Sequence, residues 1–147
     1  MKRFHILAII SIVLAATAAW AAPQQSSEKV PPLPGVLASA RYVYVTSYSG
    51  SQFNPDLLRE DQVAVGAVQS AIRQWGKLMV VSRPSDADIV IMVTSRASED
   101  VLAVYDGRQW PRGNYLWRVT GRGGLMAGET PLVTQFEKAF ESIQKHN

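Results

Sequence analysis

The sequence predicts an α/β (α+β) domain, in which a single mixed β-sheet of about five strands carries two helices on one face. Three observations lead to this prediction. Two segments repeat apolar residues at helical spacing, and five short segments are rich in β-branched and aromatic residues. These segments follow one another in the order βαββββα, and an open sheet covered by two helices is the simplest packing of that order.

Residues 1–21 have the pattern of a cleavable secretory signal peptide. Two basic residues precede an apolar stretch over residues 4–16, and Ala19 and Ala21 place small side chains at the two positions that signal peptidase reads. The stretch is short and alanine-rich for a membrane span, although an uncleaved amino-terminal anchor is the alternative. Because the chain has no cysteine, a lipid-modified cysteine anchor is excluded. We expect an exported protein, periplasmic or secreted, with no stable membrane insertion after cleavage.

Residues 22–36 predict a proline-rich, disordered tether. The segment is polar and contains four prolines, which cannot donate to a regular ladder of backbone hydrogen bonds. Its function is either to hold the domain away from the membrane or none at all. The single folded domain is then predicted over residues 37–147.

The first strand of this domain is predicted over residues 40–48, where tyrosine and valine alternate. A helix follows over residues 56–76, because apolar residues recur three or four positions apart and Gly76 is placed to end it. Its apolar positions are Leu58, Val65, Val68, Ile72 and Trp75.

Four more strands are predicted over residues 78–82, 89–94, 101–105 and 115–120. The run over 89–94 is almost unbroken in β-branched residues, which is typical of a central strand buried on both faces. The last two strands flank a polar loop and predict a hairpin. The first two strands can be parallel through the intervening helix, whereas the short later connections favour antiparallel neighbours.

A second helix is predicted to begin at Thr130 and Pro131. Threonine is a favourable N-cap residue, and proline is favourable at the first helical position. Glycines at 121, 123, 124 and 128 predict a turn before it. The apolar stripe of this helix consists of Leu132, Phe136, Ala139, Phe140 and Ile143.

The chain has a net charge of +3, but this value overstates the basicity of the exported domain. Lys2 and Arg3 are two of the 15 basic residues, which leaves 13 basic residues against 12 acidic ones once the signal peptide is removed. A nearly neutral domain lacks the electrostatic footprint of a nucleic-acid-binding protein. We therefore expect no nucleic-acid partner.

Histidine and cysteine chemistry is excluded from the predicted domain. The chain has no cysteine, His5 lies in the signal peptide, and His146 lies at the end of the last helix. Ser-His-Asp hydrolysis, Cys-His proteolysis and zinc sites with nitrogen and sulfur ligands therefore lack the side chains that they need. We predict that the protein is not an enzyme, and hydrolysis by a pair of carboxylates is the remaining catalytic alternative.

The available carboxylates fit structural roles better than catalytic ones. Asp56 and Asp61 lie where a helix start favours an acceptor and a negative charge, and Asp86 and Asp88 lie in a turn. The Asp86-x-Asp88 pair lacks the glycine and distal glutamate of a calcium loop. Residues 121–124 lack the Lys-Ser/Thr ending of a phosphate-binding loop. We therefore predict no metal and no cofactor.

The segment from 105 to 122 is the candidate binding region, because it interleaves arginines with tyrosines and tryptophans and has one acidic residue, Asp106. Guanidinium groups bind carboxylates and phosphates, while indole and phenol rings stack on sugars, bases or cations. The alternative is that Tyr115 and Trp117 pack into the core while the arginines face water. Trp110 is the strongest candidate for an exposed anchor. The candidate binding residues are Arg108, Trp110, Arg112, Tyr115, Arg118 and Arg122.

Several motifs resemble those of small exported domains of uncharacterised function in acidobacterial-type genomes. They are RYVYV at 41–45, QWGKL at 74–78, SDADIVIMV at 85–93, VLAVYDG at 101–107 and YLWR at 115–118. The layout is more distantly similar to envelope-associated α/β domains of the TolB amino-terminal and penicillin-binding-protein-activator type. That similarity implies a domain that binds partners and has no catalytic residues, although the lipid-anchoring cysteine of the activator lipoproteins is absent here.

These observations favour an exported cell-envelope domain that binds an envelope protein, peptidoglycan or another anionic glycan. A small carboxylate-dependent hydrolase and a structural subunit that associates through a strand edge are the two alternatives. The oligomeric state stays open.

Overall fold

The computed structural model describes residues 31–47, 57–126 and 128–145. The predicted signal peptide, most of the predicted tether and Asp56 lie outside the described residues. Within the described ranges, no helix combines the length and the apolar character needed to cross a membrane.

The predicted fold class and element order are confirmed. The described residues form one mixed five-stranded sheet and two α-helices in the order βαββββα. The elements are β1 (Tyr42–Ser47), α1 (Arg59–Trp75), β2 (Met79–Val80), β3 (Ile89–Ser95), β4 (Asp100–Asp106), β5 (Trp117–Gly121) and α2 (Pro131–Lys145). Short 3-10 turns at Gly35–Ser39 and Pro84–Asp86 precede β1 and β3.

The strands lie side by side in the order β2-β1-β3-β4-β5. β1 is parallel to both β2 and β3, whereas β4 is antiparallel to both β3 and β5. The prediction of a central strand buried on both faces is confirmed for β3, since Ile89, Val90 and Ile91 have no exposed surface. The predicted hairpin is β4 and β5.

The short connection between β2 and β3 predicts that these strands are antiparallel neighbours, and this prediction is wrong. Residues 81–88 cross over β1 on the face of the sheet opposite to the helices, so β2 and β3 are parallel and separated. Val81 and Ala87 pack against Tyr44 of β1. Asp88 Oδ2 accepts hydrogen bonds from the backbone N–H groups of Arg41 (2.9 Å) and Tyr42 (3.1 Å). A connection of eight residues is long enough, because it crosses a single strand between β2 and β3.

The main core lies between the sheet and the two helices. Alternate residues of the strands, such as Val43 and Val45 in β1, face this core, because successive side chains of a strand point to opposite faces. Trp75 of α1 packs edge-on against Phe136 and Phe140 of α2, with ring centroids 6.2 and 5.6 Å away. These contacts fix the two helices against each other as well as against the sheet.

The ends of the helices follow the sequence signals. Gly76 ends α1 in the left-handed conformation with φ of 77°, and its N–H donates to the Ile72 carbonyl. Pro131 is the first residue of α2, as predicted. α1 begins at Arg59, and no side chain caps its Leu58 N-cap position.

The described end of the predicted tether packs against the domain. Leu33 is buried in the main core. The Pro31 carbonyl accepts a hydrogen bond of 2.7 Å from the indole Nε1 of Trp117. The ordered domain therefore extends at least to Pro31, instead of starting at Leu37.

Candidate functional site

The β4–β5 loop, residues 107–116, lies at the end of the sheet where β1 begins. Asp106 organises its start: Oδ1 accepts the Arg108 N–H at 2.9 Å, and the carbonyl accepts the N–H groups of Gln109 and Trp110 at 3.1 Å. The Gly107 N–H donates to the Asp88 carbonyl at 2.9 Å. The loop is therefore tied both to β4 and to the segment that crosses β1.

Three aromatic side chains of this region form a cluster on the face of the sheet that the helices leave uncovered. The Tyr105 ring makes edge contacts with Trp110 and Tyr115, at centroid distances of 4.9 and 6.5 Å. Trp110 also packs against the small hydrophobic cluster that contains Tyr44 and Val90. Trp110 is thus half-buried and anchors the loop to the sheet, whereas Tyr115 is 53% exposed.

Tyr115 is exposed, whereas Trp117 is buried. The alternative that both rings pack into the core is therefore correct for Trp117 only. Trp117 faces the main core, where it contacts Phe136 at a ring distance of 6.0 Å. Within β5 the period of two places Trp117 and Val119 on the core face and Arg118 on the other. Tyr115 does not follow this alternation, because it lies in the loop before β5 begins.

The four candidate arginines are all exposed, but they fall into two groups. Arg108 and Arg112 lie in the loop and form no ion pair with the described residues. Arg118 lies 4.0 Å from a Glu99 carboxylate oxygen, and Arg122 Nε donates to the Ser98 carbonyl at 3.2 Å. The register pairs Val104 with Trp117 and Asp100 with Gly121, so Arg122 lies at the opposite end of β5 from the loop.

The structure therefore brings together Arg108, Trp110, Arg112 and Tyr115, which we call the loop surface. Its two guanidinium groups carry no counterion among the described residues, and its exposed phenol ring contacts the half-buried ring of Tyr105. Such a surface can bind a carboxylate or phosphate group through arginine and an apolar ring face through tyrosine. The side chains of Arg118 and Arg122 instead contact residues of the β3–β4 turn, Glu99 and Ser98.

Two buried carboxylates form a network that the sequence analysis did not recognise. Asp61 and Asp100 are each 2% exposed. Asp61 Oδ1 accepts the Ser95 N–H at 2.8 Å and Arg96 Nη1 at 2.7 Å, and this hydrogen bond raises the pKa of Arg96. The Ser95 hydroxyl donates to Asp100 Oδ1 at 2.7 Å, and the Leu125 N–H donates to Asp100 Oδ2 at 3.1 Å. Asp61 therefore holds the β3–β4 turn against α1, and Asp100 ties the same turn to the segment before α2.

Asp61 lies in the first turn of α1, as predicted, but its position also carries a second signal. Asp61, Val65, Val68 and Ile72 are spaced four, three and four residues apart, so they share the buried face of the helix. An acidic residue on an apolar stripe is a sign of a buried hydrogen-bond partner elsewhere in the fold.

Replacement of Asp61 by alanine should lower the free energy of unfolding by about 1–3 kcal/mol, because the Ser95 N–H loses its acceptor in a partly buried position. Chemical denaturation measures this loss. Asp86→Ala is the matched control, since Asp86 forms an exposed ion pair with Arg83 and its removal should cost less than about 1 kcal/mol. Equal losses for the two variants would contradict the structural role of Asp61.

No three acidic or histidine side chains of the described residues come close enough together to hold a metal ion.

The chain matches no protein-family model and no curated protein. Its fold is similar to solved structures of PelC dodecamers from Paraburkholderia phytofirmans. A point variant of PelC is 16% identical, with a TM-score of 0.38 over 78% of this chain and 93% of the PelC chain. A second PelC structure is 15% identical, with a TM-score of 0.40 over 78% of this chain and 94% of the other. At this level the similarity concerns the path of the chain alone.

Proposed function

We propose that this protein is an exported, non-catalytic binding domain of the cell envelope, and that its loop surface binds an anionic glycan such as peptidoglycan. The observation that carries the proposal is that one short loop presents an exposed phenol ring, Tyr115, together with two exposed arginines without described counterions, Arg108 and Arg112. A sugar ring can stack on the exposed phenol, while the guanidinium groups bind carboxylates of the polymer.

The rigidity of the loop surface supports a binding role. Asp106 caps the start of the loop, and Trp110 fastens its middle to the sheet. A binding surface that is fixed before the ligand arrives loses less conformational entropy on association. The loop can therefore bind a ligand without first having to fold around it.

Export and the absence of catalysis rest on the sequence. The first 21 residues have the pattern of a signal peptide, and the folded domain has no cysteine and no histidine before residue 146. The resemblance to small exported domains, and the more distant one to TolB amino-terminal and activator-type domains, are part of the same proposal.

Co-sedimentation of the purified protein with insoluble peptidoglycan tests the proposal. The double variant Arg108→Glu/Arg112→Glu and the single variant Tyr115→Ala should each bind about tenfold more weakly, which corresponds to about 1.4 kcal/mol. The control is Arg59→Glu/Lys138→Glu, which reverses two exposed charges on the helices and should bind like the unmodified protein.

Equal binding by the loop variants and the control would refute the assignment of the loop surface. The same incubation separates binding from the catalytic alternative. Release of soluble glycan fragments into the supernatant would show hydrolysis, whereas the proposal predicts a constant amount of insoluble polymer.

A further inference from the structure

A second surface, which the sequence analysis did not single out, lies beside β2 at the edge of the sheet. It is an open groove of about 990 Å³. Its walls are the connection into β1, the last turn of α1, the turn into β2 and β2 itself, and Gln144 of α2 closes one side. None of the loop-surface residues lines it.

The backbone of β2 presents an unpaired edge to this groove. The N–H groups of Met79 and Val81 donate to the carbonyls of Arg41 (2.8 Å) and Val43 (2.9 Å) in β1. Because the backbone polar groups of successive strand residues point to opposite sides, the N–H and C=O of Val80 point away from β1. β2 is the last strand of the sheet on this side, so Val80 offers one donor and one acceptor to an added strand.

The groove is positively charged. Arg41, Arg73 and Lys77 line it, and no aspartate or glutamate is among its described lining residues. Lys77 is bound to Glu141 at 3.0 Å; this bond and a second from the Trp75 indole lower the pKa of Glu141. Arg41 and Arg73 form no ion pair with any described carboxylate, so their charges are available to a ligand.

Stabilisation of the end of α1 does not account for all of this charge. Cations near a helix C-terminus interact favourably with the helix dipole, which gives Arg73 and Lys77 a role within the fold. Arg41 precedes β1 and enters the groove from its other wall. The two walls therefore carry like charges that face a common space, and an anionic ligand would relieve their repulsion.

Two exposed apolar side chains stand beside the same edge. Tyr42 and Met79 are partners in the β1–β2 register, and they are 41% and 63% exposed. An extended peptide that alternates acidic and apolar residues could place one set of side chains on the cations and the other on this pair.

We propose that the β2 edge binds an acidic segment of a partner protein in extended conformation, as an additional strand beside Val80. A second copy of this edge is a poor occupant, because it would bring the same cations against each other. This inference goes beyond the proposed glycan binding and uses a different surface.

A fluorescein-labelled peptide of about ten residues with alternating Glu and Val, followed by fluorescence anisotropy, is the probe for this edge. The peptide should bind, and its counterpart with Lys in place of Glu should not. Arg41→Glu and Arg73→Glu should each weaken binding about tenfold or more, as expected for loss and reversal of a ligand charge. Arg59→Glu reverses a charge at the opposite end of the same helix and should leave the affinity unchanged. So should Arg108→Glu/Arg112→Glu, which separates this inference from the glycan proposal.

Val80→Pro separates strand addition from simple charge attraction. Proline removes the outward N–H of Val80 without removing a hydrogen bond to β1, so peptide binding should be lost while the sheet stays paired. In the unmodified protein, the Val80 amide should become protected from hydrogen exchange when the peptide binds. Binding without that protection, or binding retained by Val80→Pro, would overturn the strand model. Polygalacturonate binding with equal affinity to the same groove would assign it to an anionic glycan instead.

Discussion

Replacement of Gly107 by alanine should destabilise the domain by about 3 kcal/mol and weaken glycan binding at the same time. A Cβ at this position would overlap the Ala87 carbonyl oxygen and lie 3.0 Å from the Asp88 carbonyl carbon. Both obstacles are backbone atoms, so rotation of a side chain cannot remove the clash. The loop would have to move away from the segment that crosses β1, and the Gly107–Asp88 hydrogen bond would be lost with it.

The matched substitution for this prediction is Gly66→Ala. Gly66 lies inside α1, and a Cβ there meets no atom within 4 Å. Alanine should therefore raise the free energy of unfolding by about 0.5–1 kcal/mol, because it is the better helix former. Denaturant titration of both variants measures the two opposite changes. Similar stability of Gly107→Ala and the unmodified protein would contradict the close contact between the loop and the crossing segment.

The second large effect is expected for Phe136→Ala, which should lower the free energy of unfolding by about 3–5 kcal/mol. Phe136 is fully buried in the main core, and its ring contacts Trp75, Trp117 and Phe140. Truncation would leave a cavity at the junction of α1, α2 and β5. Denaturant titration again measures the change.

Val63→Ala is the control for the core substitution, because Val63 is exposed on α1 and its truncation should change stability by less than about 0.5 kcal/mol. Below its own unfolding transition, Phe136→Ala should still sediment with peptidoglycan, because Phe136 lies on the opposite face of the sheet from the loop surface. A loss of less than 1 kcal/mol for Phe136→Ala would show that the core is organised differently.

Local signals were sufficient for most of the secondary structure. Gly76 and Pro131 mark helix ends through backbone preferences that do not depend on the rest of the fold. The β-branched run of β3 identifies the central strand because such a run suits burial on both faces. The burial of Trp117 and the exposure of Arg118 follow from the same two-residue period.

The features that the sequence did not predict depend on contacts between distant segments. The crossing of residues 81–88 over β1 is fixed by packing against Tyr44, about forty positions earlier in the chain. The indole of Trp117 holds the Pro31 carbonyl across 86 residues. Composition marks residues 31–36 as a linker, and no local pattern reveals that Leu33 reaches the core.

The sequence predicts only part of the candidate site, again because the rest depends on contacts between distant segments. The arginines and aromatic residues interleaved over 105–122 predict a single binding surface, but the β4–β5 register separates Arg122 from the loop. The sequence does not reveal the β2 groove, because Arg41 and Arg73 come together only through the parallel pairing of β1 with β2. Charge patterns along a sequence reveal a surface only where a single element carries it.

Site-specific photo-crosslinking in the living cell envelope tests the central claim most directly. A photoreactive amino acid is placed at residue 115, in the loop surface, and in a separate protein at residue 63, on the outer side of α1. The account predicts adducts at residue 115 that contain glycan fragments by mass spectrometry, and none at residue 63. No glycan adduct at residue 115, or equal capture at both positions, would contradict it.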